Sequence, residues 1–202
     1  MVWAVKPQSF AAAAAPCAPH VGRALQLSVM AGIRSEALLR ATGSPRIVRA
    51  MPNTPALIGQ GIAGLFARAA VSAADRAAVE AVLAPTGRLL WLEREEQLDA
   101  VTALSGSGPA YVFYFIEAMI EAGVRLGLSA EQSRTLAQQT FAGAAALAQQ
   151  SDEAVPVLRE RVTSRGGTTQ AAIEALDAGQ VRAAFVRALH AAHARAVELG
   201  KA

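Results

Sequence analysis

The chain has 202 residues, of which 53% are hydrophobic, 17% charged and 5% aromatic. That composition excludes intrinsic disorder, and the length is enough to bury a substantial core. The 19 Lys and Arg against 16 Asp and Glu give a formal charge of +3, but the basic residues form no run, so no phosphate-binding stripe for nucleic acid is visible.

In chain order, the first half alternates short apolar runs with helical segments. Residues 2–5 read as a strand ending at Lys6-Pro7, and Pro7 suits the first turn of the alanine-rich helix that follows. Residues 6–15 have the outline of a signal peptide, but Pro7 and Gln8 interrupt it and no cleavage pattern precedes Cys17 and Pro19. Residues 25–29 form the next strand, 35–41 a short helix and 47–50 a third strand. Met51-Pro52-Asn53-Thr54-Pro55 is a loop, because two prolines break any ladder. Residues 62–67 are a fourth strand, Ser72 opens a helix with Asp75 as its acidic first-turn partner, and residues 87–92 are the last strand. Strands alternating with helices predict a parallel α/β sheet.

After about Glu96 the strand signal stops. Ser107-Gly108-Pro109 starts a helix on which Val112, Phe115, Ile116, Met119, Gly123 and Leu126 recur at helical spacing. The uncharged stretch 100–116 that contains this start is shorter than the ~20 apolar residues of a membrane span. Gly127 stops the helix, and Ser129 with Gln132 forms a capping box for the next, which reaches about Gln150. A short helix covers 156–162, another runs from Gly166-Gly167 to Gly179, and the last spans 180–199. The fold class expected is therefore α/β followed by all-α, divided at residues 96 and 97.

One element of a nucleotide-binding α/β domain is not found. Such a domain opens with a strand, a glycine-rich turn and a helix. No such turn follows the first strand, and Gly59-Gln60-Gly61-Ile62-Ala63-Gly64 leads into a strand from a proline-broken loop, so these read as turn glycines. The front of the domain is expected to be absent from these residues.

Lys6 sits at a strand's carboxyl end, where open α/β sheets bind ligands; it is either a phosphate or nicotinamide contact or an ordinary solvated lysine. Asn53, stiffened between two prolines, can hold an amide against a cofactor or simply make the turn. Ser107 is not a hydrolase nucleophile, since the positions two away hold Ser105 and Pro109 rather than glycines. His190 and His193 lack a third ligand, so a solvated helix face is expected and no metal. Cys17 is the single cysteine, which rules out an internal disulfide and fits a reducing, cytoplasmic setting. Gly166-Gly167-Thr168-Thr169 ahead of an apolar helical run presents a helix N-terminus with free N–H groups, suited to a carboxylate, with the Thr169 hydroxyl able to meet a ring nitrogen; the bland alternative is a plain capped helix.

Three motifs together resemble the pyrroline-5-carboxylate reductase family. They are Ala4-Val5-Lys6-Pro7-Gln8, then Arg49-Ala50-Met51-Pro52-Asn53-Thr54-Pro55, then the pair formed by residues 104–111 (Leu-Ser-Gly-Ser-Gly-Pro-Ala-Tyr) and Val162-Thr163-Ser164-Arg165-Gly166-Gly167-Thr168-Thr169. The resemblance covers essentially the whole chain. It implies reduction of 1-pyrroline-5-carboxylate to proline with hydride from NADPH or NADH. It also implies an incomplete Rossmann-like NAD(P)-binding domain over 1–96 and a helical dimerisation and substrate-binding domain over 97–202. Family members carry a further N-terminal section of two βα units, on the order of sixty residues.

By the same resemblance Ala4, Val5, Lys6, Pro7 and Asn53 are cofactor-side residues. Glu95, Val162, Ser164, Gly167, Thr168 and Thr169 are substrate-side, and Thr169 is the candidate for positioning or proton relay at the imine nitrogen. The implied partners are the small-molecule substrate and a second copy of the chain, as a homodimer or higher homo-oligomer, with no membrane or nucleic acid. Arg165 departs from the family pattern, which has proline there. Two rival readings stand beside this one: a non-catalytic dimerising fragment of such a reductase, and another Rossmann-plus-helical dehydrogenase acting on a different imine or hydroxy acid.

Overall fold

The computed structural model describes residues 1–201. Five strands form one sheet in chain order: β1 (Val2–Trp3), β2 (Gln26–Ser28), β3 (Ile47–Met51), β4 (Gly61–Ala67) and β5 (Gly87–Trp91). β1, β2 and β3 are parallel, and so are β4 and β5. The pair β3 and β4 is antiparallel, with Met51 opposite Gly64 and Val48 opposite Ala67, where a parallel sheet is expected from the alternation alone. Length explains the difference. A parallel pair needs a crossover of about a dozen residues or more, whereas β3 and β4 are joined through a single 3-10 turn, Thr54–Ile58, closed by Gly59 at φ 69°.

The helices of this half are α1 (Phe10–Ala14), α2 (Ala18–Val21), α3 (Ser35–Thr42) and α4 (Ala73–Leu83). The alanine-rich helix is interrupted between α1 and α2, where Pro16 has no N–H to offer a continuing ladder. Adjacent residues of β3 point to opposite faces. Ile47 joins Trp3, Phe10, Ala14, Met30 and Leu38 on one side, and Val48 joins Leu27, Leu65, Val79 and Leu83 on the other. Trp3 and Phe10 meet edge to face at 5.2 Å, and the Trp3 indole N–H donates to the buried Gln26 side chain at 2.8 Å. The Gln26 amide in turn donates to the Val21 and Ala24 carbonyls, so this buried polar group leaves no donor unpaired. The Ser72–Asp75 signature at α4 is a full reciprocal capping box.

The rest is helical: α5 (Gln97–Val101), α6 (Gly108–Arg125), α7 (Ala130–Gln150), α8 (Val155–Arg161), α9 (Thr168–Ala178) and α10 (Val181–Leu199). Between α5 and α6 lies a π-helical turn, Thr102–Gly106, in which the Ser107 N–H reaches back to the Thr102 carbonyl at 2.8 Å. Gly127 ends α6 at φ 99°, and the Ser129–Gln132 box caps α7. At the α9–α10 corner the left-handed residue is Gln180 (φ 52°), not the expected Gly179.

The chain divides into two compact units: Met1–Pro109 with the segment from Leu189 on, and Ala110–Ala188. Among the described residues of the second unit only Ser133 and Ala137 are buried. Its α6 stripe contains Val112 and Met119, each 41% exposed. Tyr111, Tyr114, Phe115 and Phe185 line an apolar cleft of about 460 Å³ in this unit. No helix of the described residues is long and apolar enough to cross a membrane.

Candidate functional site

In the first unit, β1 and β3 run in the same direction, so Ala4, Val5, Lys6 and Pro7 after β1 lie along the same sheet edge as Pro52 and Asn53 after β3. Lys6 is exposed and extended (φ −62°, ψ 139°), and its carbonyl accepts the Ser9 N–H at 2.9 Å as Pro7 turns the chain. Asn53 is half-buried, and its side-chain oxygen accepts the Ile62 N–H at 3.0 Å, which ties the proline loop to the start of β4.

Glu95 follows β5, and both of its oxygens are engaged. Oε1 accepts the Ser35 N–H at 2.6 Å and an Arg49 guanidinium N–H at 2.8 Å, while Oε2 accepts the Ser35 hydroxyl at 2.6 Å. Burial works against its negative charge, but these donors more than offset that, so the carboxyl is held below the usual range. Burial likewise lowers the Arg49 guanidinium, with the Glu95 pair opposing it. Arg34 pairs with buried Asp99 at 2.6 Å one turn further along. Beside Glu95, an open groove of about 550 Å³ is lined by Ser35, Phe66, Arg68 and Arg94. Ser35 and Asp99 fall in none of the three motifs, and Arg49 opens the second without a role assigned to it. The one available signal was Arg49, a charged residue inside the otherwise apolar strand Ile47–Met51.

The second unit holds the remaining candidates. α8 ends at Val162, which is exposed, and Thr163 caps that end by donating its hydroxyl to the Arg159 carbonyl at 2.7 Å. A tight turn follows, with the Gly167 N–H donating to the Ser164 carbonyl at 3.0 Å. Gly166 occupies its third position at φ 72°, the mark of a type II turn, so Arg165 stands at the second position, where proline is favoured. The turn is also closely packed: a Cβ on Gly167 would come within 2.5 Å of the Ser164 hydroxyl.

Gly167 is the N-cap of α9 and offers no side-chain cap. The first intrahelical partner falls to Ala171, which donates to the Gly167 carbonyl, so the N–H groups of Thr168, Thr169 and Gln170 point out of the helix start. The Gln170 side chain folds back to accept the Gly166 N–H at 2.6 Å. Thr169 is half-buried next to this ring of donors, and no acidic residue sits in the first turn of α9. Val162, Ser164, Gly167, Thr168 and Thr169 are thus gathered around one helix N-terminus, whereas Glu95 belongs to the first unit. Free N–H groups at the positive end of a helix dipole favour a bound anion. Among the described residues no group of three or more His, Cys, Asp or Glu side chains is arranged to hold a metal ion.

Comparison with known proteins is consistent along the whole chain. The family model for pyrroline-5-carboxylate reductase dimerisation matches residues 95–199. The pyrroline-5-carboxylate reductase of Pseudomonas aeruginosa is 46% identical over 203 residues, spanning all of this chain and 74% of that protein. That of Haemophilus influenzae is 41% identical over 97% of this chain and 73% of its own length. Among solved structures, a pyrroline-5-carboxylate reductase from Coxiella burnetii superposes with a TM-score of 0.93 at 39% identity, covering all of this chain and 76% of the other. The Plasmodium falciparum pyrroline carboxylate reductase, solved with NADP bound, gives 0.91 at 33% identity over 98% of this chain and 80% of its own.

Proposed function

The chain belongs to the pyrroline-5-carboxylate reductase family, and on that premise we propose which of its residues carry each part of the chemistry. The enzyme reduces 1-pyrroline-5-carboxylate to L-proline, the last step of proline biosynthesis, using NAD(P)H. The observation that carries the site assignment is the uncapped N-terminus of α9. In this reading the substrate carboxylate accepts the N–H groups of Thr168 and Thr169, Gly167 lets it approach the backbone, and Val162 and Ser164 flank it. The Thr169 hydroxyl meets the ring nitrogen. Reduction turns the C=N double bond into a C–H and an N–H bond, so a hydride goes to carbon and a proton to nitrogen. Thr169 orients that nitrogen and relays the proton. A protonated imine is already electrophilic, so alignment rather than strong acid catalysis is what the protein must supply.

NAD(P)H, when bound, supplies the hydride. We place its nicotinamide side against Ala4, Val5, Lys6, Pro7 and Asn53, which share the carboxyl edge of the parallel strands. A pyrophosphate does not fit the one βα turn here that contains a glycine. That turn carries Gly32 into α3, and the first N–H of α3 already serves Glu95. The chain acts as a homo-oligomer, in keeping with the dimerisation family model and with a helical unit that buries almost none of its own residues. A homodimer in the reducing cytoplasm completes the reading, supported by the single cysteine.

Two measurements test it. Consumption of NADPH on adding the cyclic imine acid, with L-proline identified as product, tests the reaction. Titration of the labelled chain with L-proline, followed by amide NMR, tests the site. Shifts centred on residues 166–170 are expected, and shifts centred elsewhere would refute the placement at α9.

A further inference from the structure

Glu95 stands where β5 hands over to α5, and both oxygens of its carboxylate are held from within the chain: three donors from Ser35 and Arg49 converge on it at 2.6–2.8 Å. Arg49 is 5% exposed, its Nε has no hydrogen-bond partner, and Glu95 is its ion-pair partner. A buried cation depends strongly on its ion-pair partner, and the Asp99 charge adds to the support that Glu95 gives. Four residues beyond Glu95, Asp99 is also buried and pairs with Arg34. The two anions flank the start of one short helix, α5, while the cations belong to β3 and to the N-cap of α3.

What α5 carries gives this clasp its consequence. The helix runs without a break into the π-helical turn, and π-helical turns are found disproportionately at functional sites. Val101 seats in the notch left by Gly64 of β4, where a Cβ would come within 2.9 Å of its methyls. Gly106, at the end of the π-turn, lies against Met51, whose methyl would be 2.9 Å from a Cβ there. Met51 is the last residue of β3, and the next two residues are Pro52 and Asn53 on the cofactor-side edge. A displacement of α5 is therefore delivered to the Asn53 loop through one side-chain contact.

We infer that Glu95, assisted by Asp99, is a positioning residue that sets the π-turn against the Met51–Pro52–Asn53 loop and so shapes the cofactor side of the site, rather than touching the imine acid. This rests on the reductase reading. Glu95→Gln is the direct test, because it keeps the volume but turns one acceptor into a donor facing Ser35 or Arg49. Losing charge-assisted bonds of this kind should speed amide exchange at Ser107, whose N–H closes the π-turn, and at Ile62, whose N–H holds Asn53, by roughly tenfold. Exchange in α7 should stay as it is. The KM for NADPH should rise by roughly tenfold, while that for the imine acid stays within about twofold. Ser35→Ala, which removes one donor from the same carboxylate, should move the same quantities in the same direction by less, and it serves where the Gln variant does not fold.

A rise confined to the KM of the imine acid would show that Glu95 contacts substrate and overturn the inference. So would a lowered melting temperature with exchange at Ser107 and Ile62, and both KM values, unchanged. If the parent chain consumed no NADPH with the imine acid, the reductase reading itself would fall, and the exchange measurements would still decide the role of Glu95.

Discussion

Thr169→Val separates a substrate-binding helix end from a merely well-formed one. The two side chains are nearly the same shape, and the Thr169 hydroxyl makes no hydrogen bond within the described residues, so the folded chain loses no internal interaction. The backbone donors of Thr168, Thr169 and Gln170 are untouched, so the carboxylate of a ligand keeps its contacts. What disappears is the hydroxyl at the ring nitrogen, a bond to a charged group worth about 1.5–3 kcal/mol. Affinity for L-proline, measured by calorimetry, should therefore fall roughly ten- to a hundredfold, with no change in melting temperature. If affinity changed by less than about twofold, the hydroxyl would have no part in binding and the assignment of Thr169 would be wrong. A lower melting temperature accompanying the loss would instead identify an internal role for Thr169.

Arg165→Pro should raise the melting temperature, because the residue holds the second position of a type II turn. Restricting the unfolded chain there is worth about 0.4–1 kcal/mol, and thermal denaturation would show a drop instead if the turn type were different. Asp75 pairs with Arg46 and with the Ser72 backbone, which holds its carboxyl well below the ordinary range. A depressed folded-state value means stability that is fully present above the unfolded value near 4 and is lost as the pH falls through and below it. Asp75→Asn should accordingly melt earlier than the parent at neutral pH, with the gap narrowing in acid; a gap independent of pH would contradict this. Met119→Arg places a charge on the exposed α6 stripe, and sedimentation at micromolar concentration should then show dissociation to smaller species; an unchanged mass would put the oligomer contact elsewhere.

Local signals in the sequence carried far into the structure. The Ser72–Asp75 and Ser129–Gln132 boxes and the Gly127 stop each depend on a few neighbouring residues, and the elements begin and end there. The α9 N-terminus was legible for the same reason, since two glycines ahead of two hydroxyl residues and an apolar helical run mark a helix start whatever surrounds them. The direction of β4 was less accessible, because periodicity reports which residues alternate but not which way the strand runs. Only the shortness of the link from Met51 to Gly61 bears on that. The π-turn was hidden because a run such as Thr102–Gly106 satisfies an α-helical pattern equally well until Gly106 has to pass Met51.

Glu95 illustrates the limit from the other side. Motif resemblance marks it as a substrate-side residue among three crowded glutamates, yet its meaning depends on Ser35 and Arg49, which lie 60 and 46 residues away along the chain. The sequence does carry one hint, an arginine in a strand whose neighbours are all apolar. A buried guanidinium requires a nearby anion, and a search for that anion along adjacent elements leads from Arg49 to the segment after β5. Read this way, charge inside an apolar strand points to a contact in three dimensions. It distinguishes Glu95 from Glu93 and Glu96, both of which remain exposed.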